Sequence, residues 1–213
     1  MRRVERGYGL LELLLALAIG LMLLTTASQL FASAHQVWRL QGAALRMQED
    51  ARLALLRMAQ DIRMAGMFGC LRLLPGDFPD SATRLAFTRP VEVGPSSLNL
   101  IVADVAGHVL HPDWTVLTNC RDHAQVAVGQ VQGSGELAIP ISRHRYELRG
   151  STLYFTRSNS TQPLMEHVRS LDIAYLTSAG SPRIDLDLAL HDPALQLQQR
   201  HRLSVALRNP VLP

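Results

Sequence analysis

The sequence predicts an α+β chain in which one long N-terminal helix precedes a mainly antiparallel β-sheet region. Three observations lead there. No Pro interrupts residues 1–74, so nothing in that stretch forces a helix to stop. The same stretch is first apolar throughout and then apolar at steps of three and four residues. Beyond Ser97 the pattern changes to a period of two or to short apolar runs, separated by Gly, Pro, Asn and Ser. One extended helix followed by many short strands gives segregated helix and sheet, and consecutive short strands favour hairpins over crossovers.

The first element opens with basic residues (Arg2, Arg3 and Arg6 against Glu5), then Gly7, Tyr8 and Gly9, then the run Leu10–Leu24. After Glu12 no charge follows until the region of His35 and Arg39. A helix of about 20 such residues crosses about 30 Å of hydrocarbon, which makes a membrane the first expected partner. Positive charge ahead of the span keeps the leader cytoplasmic and sends the rest of the chain out. Three accounts of the segment stay open on hydropathy. Ala32-Ser33-Ala34 fits the small-x-small rule of a secretory signal. A plain single-span anchor fits as well. The third is a leader cut before the apolar run. Glu12 favours the third, because a carboxylate in hydrocarbon costs several kcal/mol unless a cation meets it.

From Gln36 to Gly66 the positions Val37, Leu40, Ala44, Met47, Ala51, Leu55, Met58, Ile62 and Ala65 draw one apolar stripe. The intervening Arg46, Glu49, Asp50, Arg52, Arg57, Gln60, Asp61 and Arg63 are expected on a solvated face. Gly66, Gly69 and Pro75 end the helix. An irregular region then runs to about Pro95, with one short strand expected near Leu85–Thr88. Strands are expected at 98–105, 115–118, 125–131, 136–141, 146–148, 153–156, 171–176, 184–190 and 203–207.

With 213 residues and 47% apolar composition the chain can bury a core of one domain plus an appendage. The net charge of +3 arises largely in the first six residues and gives little reason to expect nucleic acid. All 21 basic side chains are Arg. Cys70 and Cys120, the only cysteines, sit in no metal-binding spacing. In an exported domain they form one disulfide; the alternative is two buried thiols.

Eight His residues raise the question of catalysis or metal binding, with His108, His111 and Asp113 the best cluster. No third ligand or activated nucleophile accompanies it, so a polar surface loop is the expectation, as it is for His123 beside Arg121 and Asp122. Arg143-His144-Arg145 and Arg200-His201-Arg202 are expected on the surface. Only 5% of residues are aromatic and no stacking platform lies near them, so nucleic acid is not the expected partner. No phosphate-cradling Gly-rich loop occurs, which excludes an ATPase of that type.

Gly7, then Tyr8-Gly9-Leu10-Leu11-Glu12 and an apolar helix, resembles the class III signal of type IV prepilins. That resemblance implies cleavage after Gly7 by the membrane-embedded prepilin peptidase, methylation of the new N-terminus at Tyr8, and an assembly role for Glu12 at the fifth mature position. Tyr8 and Gly9 depart from the usual Phe and Thr or Ser. The run Asp61–Cys70, the stretch Met165–Tyr175 and the stretch Arg202–Arg208 are similar to the helix end, a late strand and the final strand of PilW-type minor pilins. The implied chain has a leader at 1–7, a transmembrane and filament-core helix at 8–34, an amphipathic helix at 35–69 and a β-rich domain at 70–213. Residues 177–183 lack the acidic loop often found there, so no metal site is expected. The implied fold is pilin-like, with the helix packed on an antiparallel sheet domain. The implied function is that of a minor pilin, not an enzyme and without cofactor. Its partners would be major and minor pilins, the prepilin peptidase and the inner-membrane assembly platform. The chain would sit in the inner membrane with its C-terminal domain periplasmic, then in an extracellular pilus. A minor pseudopilin of a type II secretion system shares these features. An anchored exported enzyme and a DNA-binding competence pilin are further alternatives.

Overall fold

A computed structural model describes residues 9–104, 111–133, 135–177 and 182–209. Helix α1 spans Leu10–Met64 without a break. The chain divides into two compact units, one ending at Arg46 and the other beginning at Met47.

In the first unit the helix presents its apolar side chains without protein cover, and an 18-residue window of it has a mean hydropathy of 2.3. Three of its hydroxyls are satisfied within the helix. Thr25 donates to the carbonyl of Met22, Thr26 to those of Met22 and Leu23, and Ser28 to that of Leu24, all at 2.8–3.0 Å. No hydroxyl of these three is left needing water, which suits an apolar surrounding.

In the second unit the rest of α1 buries Met47, Ala51, Ala54, Leu55, Met58, Ala59 and Ile62. The predicted stripe is therefore buried from Met47 onward, while Val37 stays exposed and Leu40 and Ala44 are only partly covered. The helix exits through Ala65, which bridges Val102, and Gly66, whose φ of 76° lies in the left-handed region. Asn209 caps this exit by donating its amide to the Ala65 carbonyl at 3.3 Å.

A seven-stranded antiparallel sheet follows: β1 Val91–Gly94, β2 Ser97–Ala103, β3 Trp114–Thr118, β4 Ala124–Val128, β5 Leu137–Arg149, β6 Thr152–Arg157 and β7 Ser160–Met165. The path runs β1-β2-β5-β3-β4, and β6, which pairs with β5, carries β7. A three-stranded antiparallel sheet, ordered β10-β9-β8, comprises β8 Val168–Leu176, β9 Arg183–Asp192 and β10 Leu197–Ala206. Alternation along β2 explains the layering. Leu98, Leu100 and Val102 join Met58, Ile62, Tyr146 and the inner residues of β8 and β9 in the main core. Ile101, on the other face, joins Trp114, Val116, Val126, Ile141 and Phe87 in a second core.

Several sequence expectations are corrected here. Leu85–Thr88 is the end of helix α2, Ser81–Thr88, and not a strand. Asp80 caps it, accepting from the Thr83 amide at 2.7 Å, and Thr83 and Phe87 form its buried face one turn apart. The expected strands at 136–141 and 146–148 are one strand, β5, whose polar middle at 142–145 hid its continuity. Strands β1 and β7 were not anticipated, being short and mostly exposed. The expected strand at 98–105 ends at Ala103, and residues 178–181 of the 177–183 stretch lie outside the described residues.

Candidate functional site

Among the described residues two places carry ionisable groups where apolar surroundings make charge expensive. The first is Glu12. The helix begins at Leu10, and the Gly9 carbonyl accepts from the amides of Glu12 and Leu13 at 3.0 and 3.2 Å. A carboxylate in the first turn interacts favourably with the positive end of the helix dipole. Around it Leu10, Leu11, Leu13, Leu14 and Leu15 are all exposed, so among the described residues Glu12 stands as a lone carboxyl in an apolar sleeve. At the far end of that sleeve His35 stacks near Trp38, with ring centroids 6.1 Å apart, ahead of Arg39. Such an amphipathic aromatic suits a membrane–water boundary. Gly7 and Tyr8 lie outside the described residues.

The second place joins α1 to the sheet. His144 of β5 is buried, its side chain 5% exposed, between Asp61 of α1 and Asp104 just beyond β2. Its Nδ1–H donates to Asp61 Oδ2 at 2.7 Å, and the Tyr146 hydroxyl donates to the same oxygen at 2.6 Å. On the other side of the ring Nε2 lies 3.3 Å from Asp104 Oδ1, an ion-pair contact without hydrogen-bond alignment. Arg157 of β6 approaches the same Asp104 oxygen at 3.8 Å. Arg57, one turn before Asp61, lays its guanidinium 3.9 Å from the centre of the Phe155 ring.

Burial alone pushes His144 toward its neutral form, but the close contact of Asp104, the hydrogen bond to Asp61 and the negative charge of both carboxylates outweigh it and hold its pKa above the usual imidazole value. Burial likewise works to raise Asp104, yet His144, Ser142 and Arg157 hold it below the usual carboxylate range. Tyr146 is driven upward by burial and by the Asp61 carboxylate, so it stays a hydrogen-bond donor. The cluster is a buried clasp in which the His144 ring sits between two carboxylates that favour its protonated form.

Sequence reasoning placed both anchors on the surface. The sequence pattern puts Asp61 on the solvated helix face and His144 in an exposed basic triplet, whereas their side chains are only 13% and 5% exposed. The signal that could have found them is strand alternation. In Arg143-His144-Arg145 the central residue must face opposite to its neighbours, and the neighbours are indeed exposed. The second triplet behaves differently, since Arg200 and Arg202 both pair with Asp187, at 2.7 and 2.9 Å.

The trio His108, His111 and Asp113 falls only partly within the described residues. His108 lies outside the described residues, His111 is exposed, and Asp113 has a structural role. Its carboxylate accepts from the Arg143 amide at 2.7 Å and from the Ser158 hydroxyl at 3.0 Å. His123 approaches Glu136 at 3.7 Å on the surface. Among the described residues no three His, Cys, Asp or Glu side chains are grouped as metal ligands.

Cys70 and Cys120 are joined, with Cα atoms 5.4 Å apart. Asn119 prepares this junction by accepting from the amides of Arg121, Asp122 and His123 at 3.0–3.1 Å, which folds a tight turn around Cys120 at φ 56°. Thr118 adds a hydrogen bond from the Cys120 amide at 3.0 Å.

Residues 2–28 match the family model of the prokaryotic N-terminal methylation motif. This match ends within the first half of α1 and covers none of the second unit. No curated protein and no solved structure matches the chain.

Proposed function

Because this chain carries the signal of a type IV pilin-like prepilin, we propose that it is a minor pilin of a type IV pilus, cut after Gly7, which helps to prime filament assembly and sits near the filament tip. The observation that carries the proposal is the uncovered apolar helix with Glu12 as its isolated early charge, ahead of a globular unit with its own core.

The chemistry follows from that arrangement. The prepilin peptidase removes residues 1–7 on the cytoplasmic side, leaving Tyr8 as a methylated N-terminus. While the subunit waits in the inner membrane its helix is solvated by lipid. In a filament, neighbouring helices replace the lipid, and the apolar sleeve packs against major and minor pilins. The carboxylate of Glu12 then needs a cation in a place without water, and the amino group at Tyr8 of a neighbouring subunit or of its own chain supplies one. The Cys70–Cys120 bond supports a globular unit that matures in the periplasm, where disulfides persist. The likeness of Asp61–Cys70 to PilW-type minor pilins favours the pilus over the minor pseudopilins of type II secretion systems, which share the N-terminal signal.

The test is a pair of variants in cells that contain the peptidase and the assembly platform. Gly7→Ala should abolish the shortening of the chain. Glu12→Ala should be shortened normally yet be depleted from sheared filaments. Normal shortening of the first variant, or normal incorporation of the second, would overturn the proposal.

A further inference from the structure

On the face of the large sheet that carries the second core, β2 and β5 place side chains in register: Asn99 opposite Arg145 and Ile101 opposite Arg143. Two residues apart on β5, Arg143 and Arg145 point to the same side. Helix α2 ends above them. Its C-cap residue is Arg89, whose amide donates to the Leu85 carbonyl at 3.1 Å, and the Pro90 carbonyl next to it accepts from Ile101 at 2.8 Å. These elements enclose a pocket of about 290 Å³ lined by Arg89, Arg143, Arg145, Asn99, Glu92 and a small apolar wall.

The charges in this pocket do not balance. Three guanidinium groups line it against one carboxylate, Glu92. Among the described residues Arg89 and Arg143 have no carboxylate partner, and Arg145 shares Glu147 with Arg149, at 3.1 and 2.6 Å. Arg143 is held in place from two sides: its amide is bound to Asp113, and its guanidinium lies 5.5 Å from the centre of the Trp114 ring. Like charges converge on one concavity and repel, unless an anion occupies it. A single carboxylate is saturated by one bidentate guanidinium fork. Several forks, with the Asn99 amide beside them, suit an acceptor with more oxygens and more charge.

We propose that this pocket binds a dianionic tetrahedral oxyanion, the phosphate or sulfate group of a ligand outside the filament core. Glu92 opposes the ligand and sets its affinity low, while Arg89 and Arg145 supply donors from the helix side and the strand side. The site lies on the second unit, remote in sequence from the apolar helix, and does not depend on how that helix assembles.

The test uses the full chain in a non-ionic detergent at low salt, titrated calorimetrically with inorganic phosphate at pH 8, with sulfate and with acetate in separate runs. Saturable binding of phosphate, of sulfate or of both, with none of acetate, is expected. Phosphate alone identifies a phosphorylated ligand and sulfate alone a sulfated one. Arg89→Gln and Arg145→Gln, both at exposed side chains, should each weaken binding at least fivefold with an unchanged circular dichroism spectrum. Glu92→Gln should tighten it severalfold. No saturable binding of either oxyanion, equal binding of acetate, or the same affinity in all three variants would overturn the proposal.

Discussion

Replacing Asp61 with Ala removes the acceptor on which both His144 and Tyr146 converge. Each of the two donors, at 2.7 and 2.6 Å, loses its partner in a site that water does not reach freely. A hydrogen bond to a charged group contributes about 1.5–3 kcal/mol, and a buried donor left without a partner costs about 1–3 kcal/mol. Since Asp61 retains slight exposure and the cavity can admit some water, the lower part of the combined range applies, about 3–4 kcal/mol, close to the cost of breaking a buried ion pair. The pH dependence carries the sharper signature. His144 has a raised pKa in the folded chain, so its charged clasp contributes fully below the unfolded value of about 6.5 and is lost as pH rises through the folded value. Asp104 behaves in the opposite sense. Its lowered pKa gives stability that is present above about pH 4 and disappears as pH falls through the folded value. The destabilisation by Asp61→Ala should therefore be largest at about pH 5–6 and shrink on the alkaline side, with a remainder from the Tyr146 bond. Urea unfolding of the full chain in detergent, followed by the fluorescence of the buried Trp114, measures it at several pH values. A loss below about 1 kcal/mol at pH 5.5, or a loss that grows with rising pH, would refute the clasp.

Ile62→Ala, at a fully buried position on the helix face, should cost about 2–5 kcal/mol in the same unfolding measurement. Phe87→Ala should cost about 3–5 kcal/mol and release the ring cluster in which Phe68, Phe78 and Trp114 lie 4.4–5.4 Å from Phe87, visible as a change in near-UV circular dichroism. Replacing both Cys70 and Cys120 by Ser opens a loop of 50 residues and should lower stability by roughly 4 kcal/mol by the loss of unfolded-state constraint. Mass analysis of unreduced peptides from periplasmic protein should find these two cysteines linked. Substituting Glu49, whose partner Arg52 is as exposed as itself, should leave the unfolding midpoint unchanged.

The long helix and the strand region were legible because their signals are additive over many residues. Fifty-five helical residues lack any Pro, and one buried positional rhythm runs from Met47 to Ile62. Helix α2 was missed because eight residues are too few for a period, and its decisive feature is a single cap, Asp80. The continuity of β5 was missed because its central residues Ser142–Arg145 are polar and break the apolar pattern on either side. Ser142 and His144 are in fact buried on the helix side, while Arg143 and Arg145 face out. The clasp could not be read from one dimension, since Asp61 and His144 are 83 residues apart and each looks ordinary in its own segment. Only the crossing of α1 over β5 turns two polar residues into one buried pair. Glu12 was legible for the opposite reason. It stands alone in an apolar run, and no tertiary contact is needed to notice it.

The central claim is that this chain is made as a prepilin and matured at Gly7, and intact mass measurement of the protein isolated from cells tests it most directly. The account predicts a chain that starts at Tyr8 and carries one added methyl group. A chain that keeps Met1 would be a plain anchor, and one that starts after Ala34 a secreted protein; either result would contradict the account.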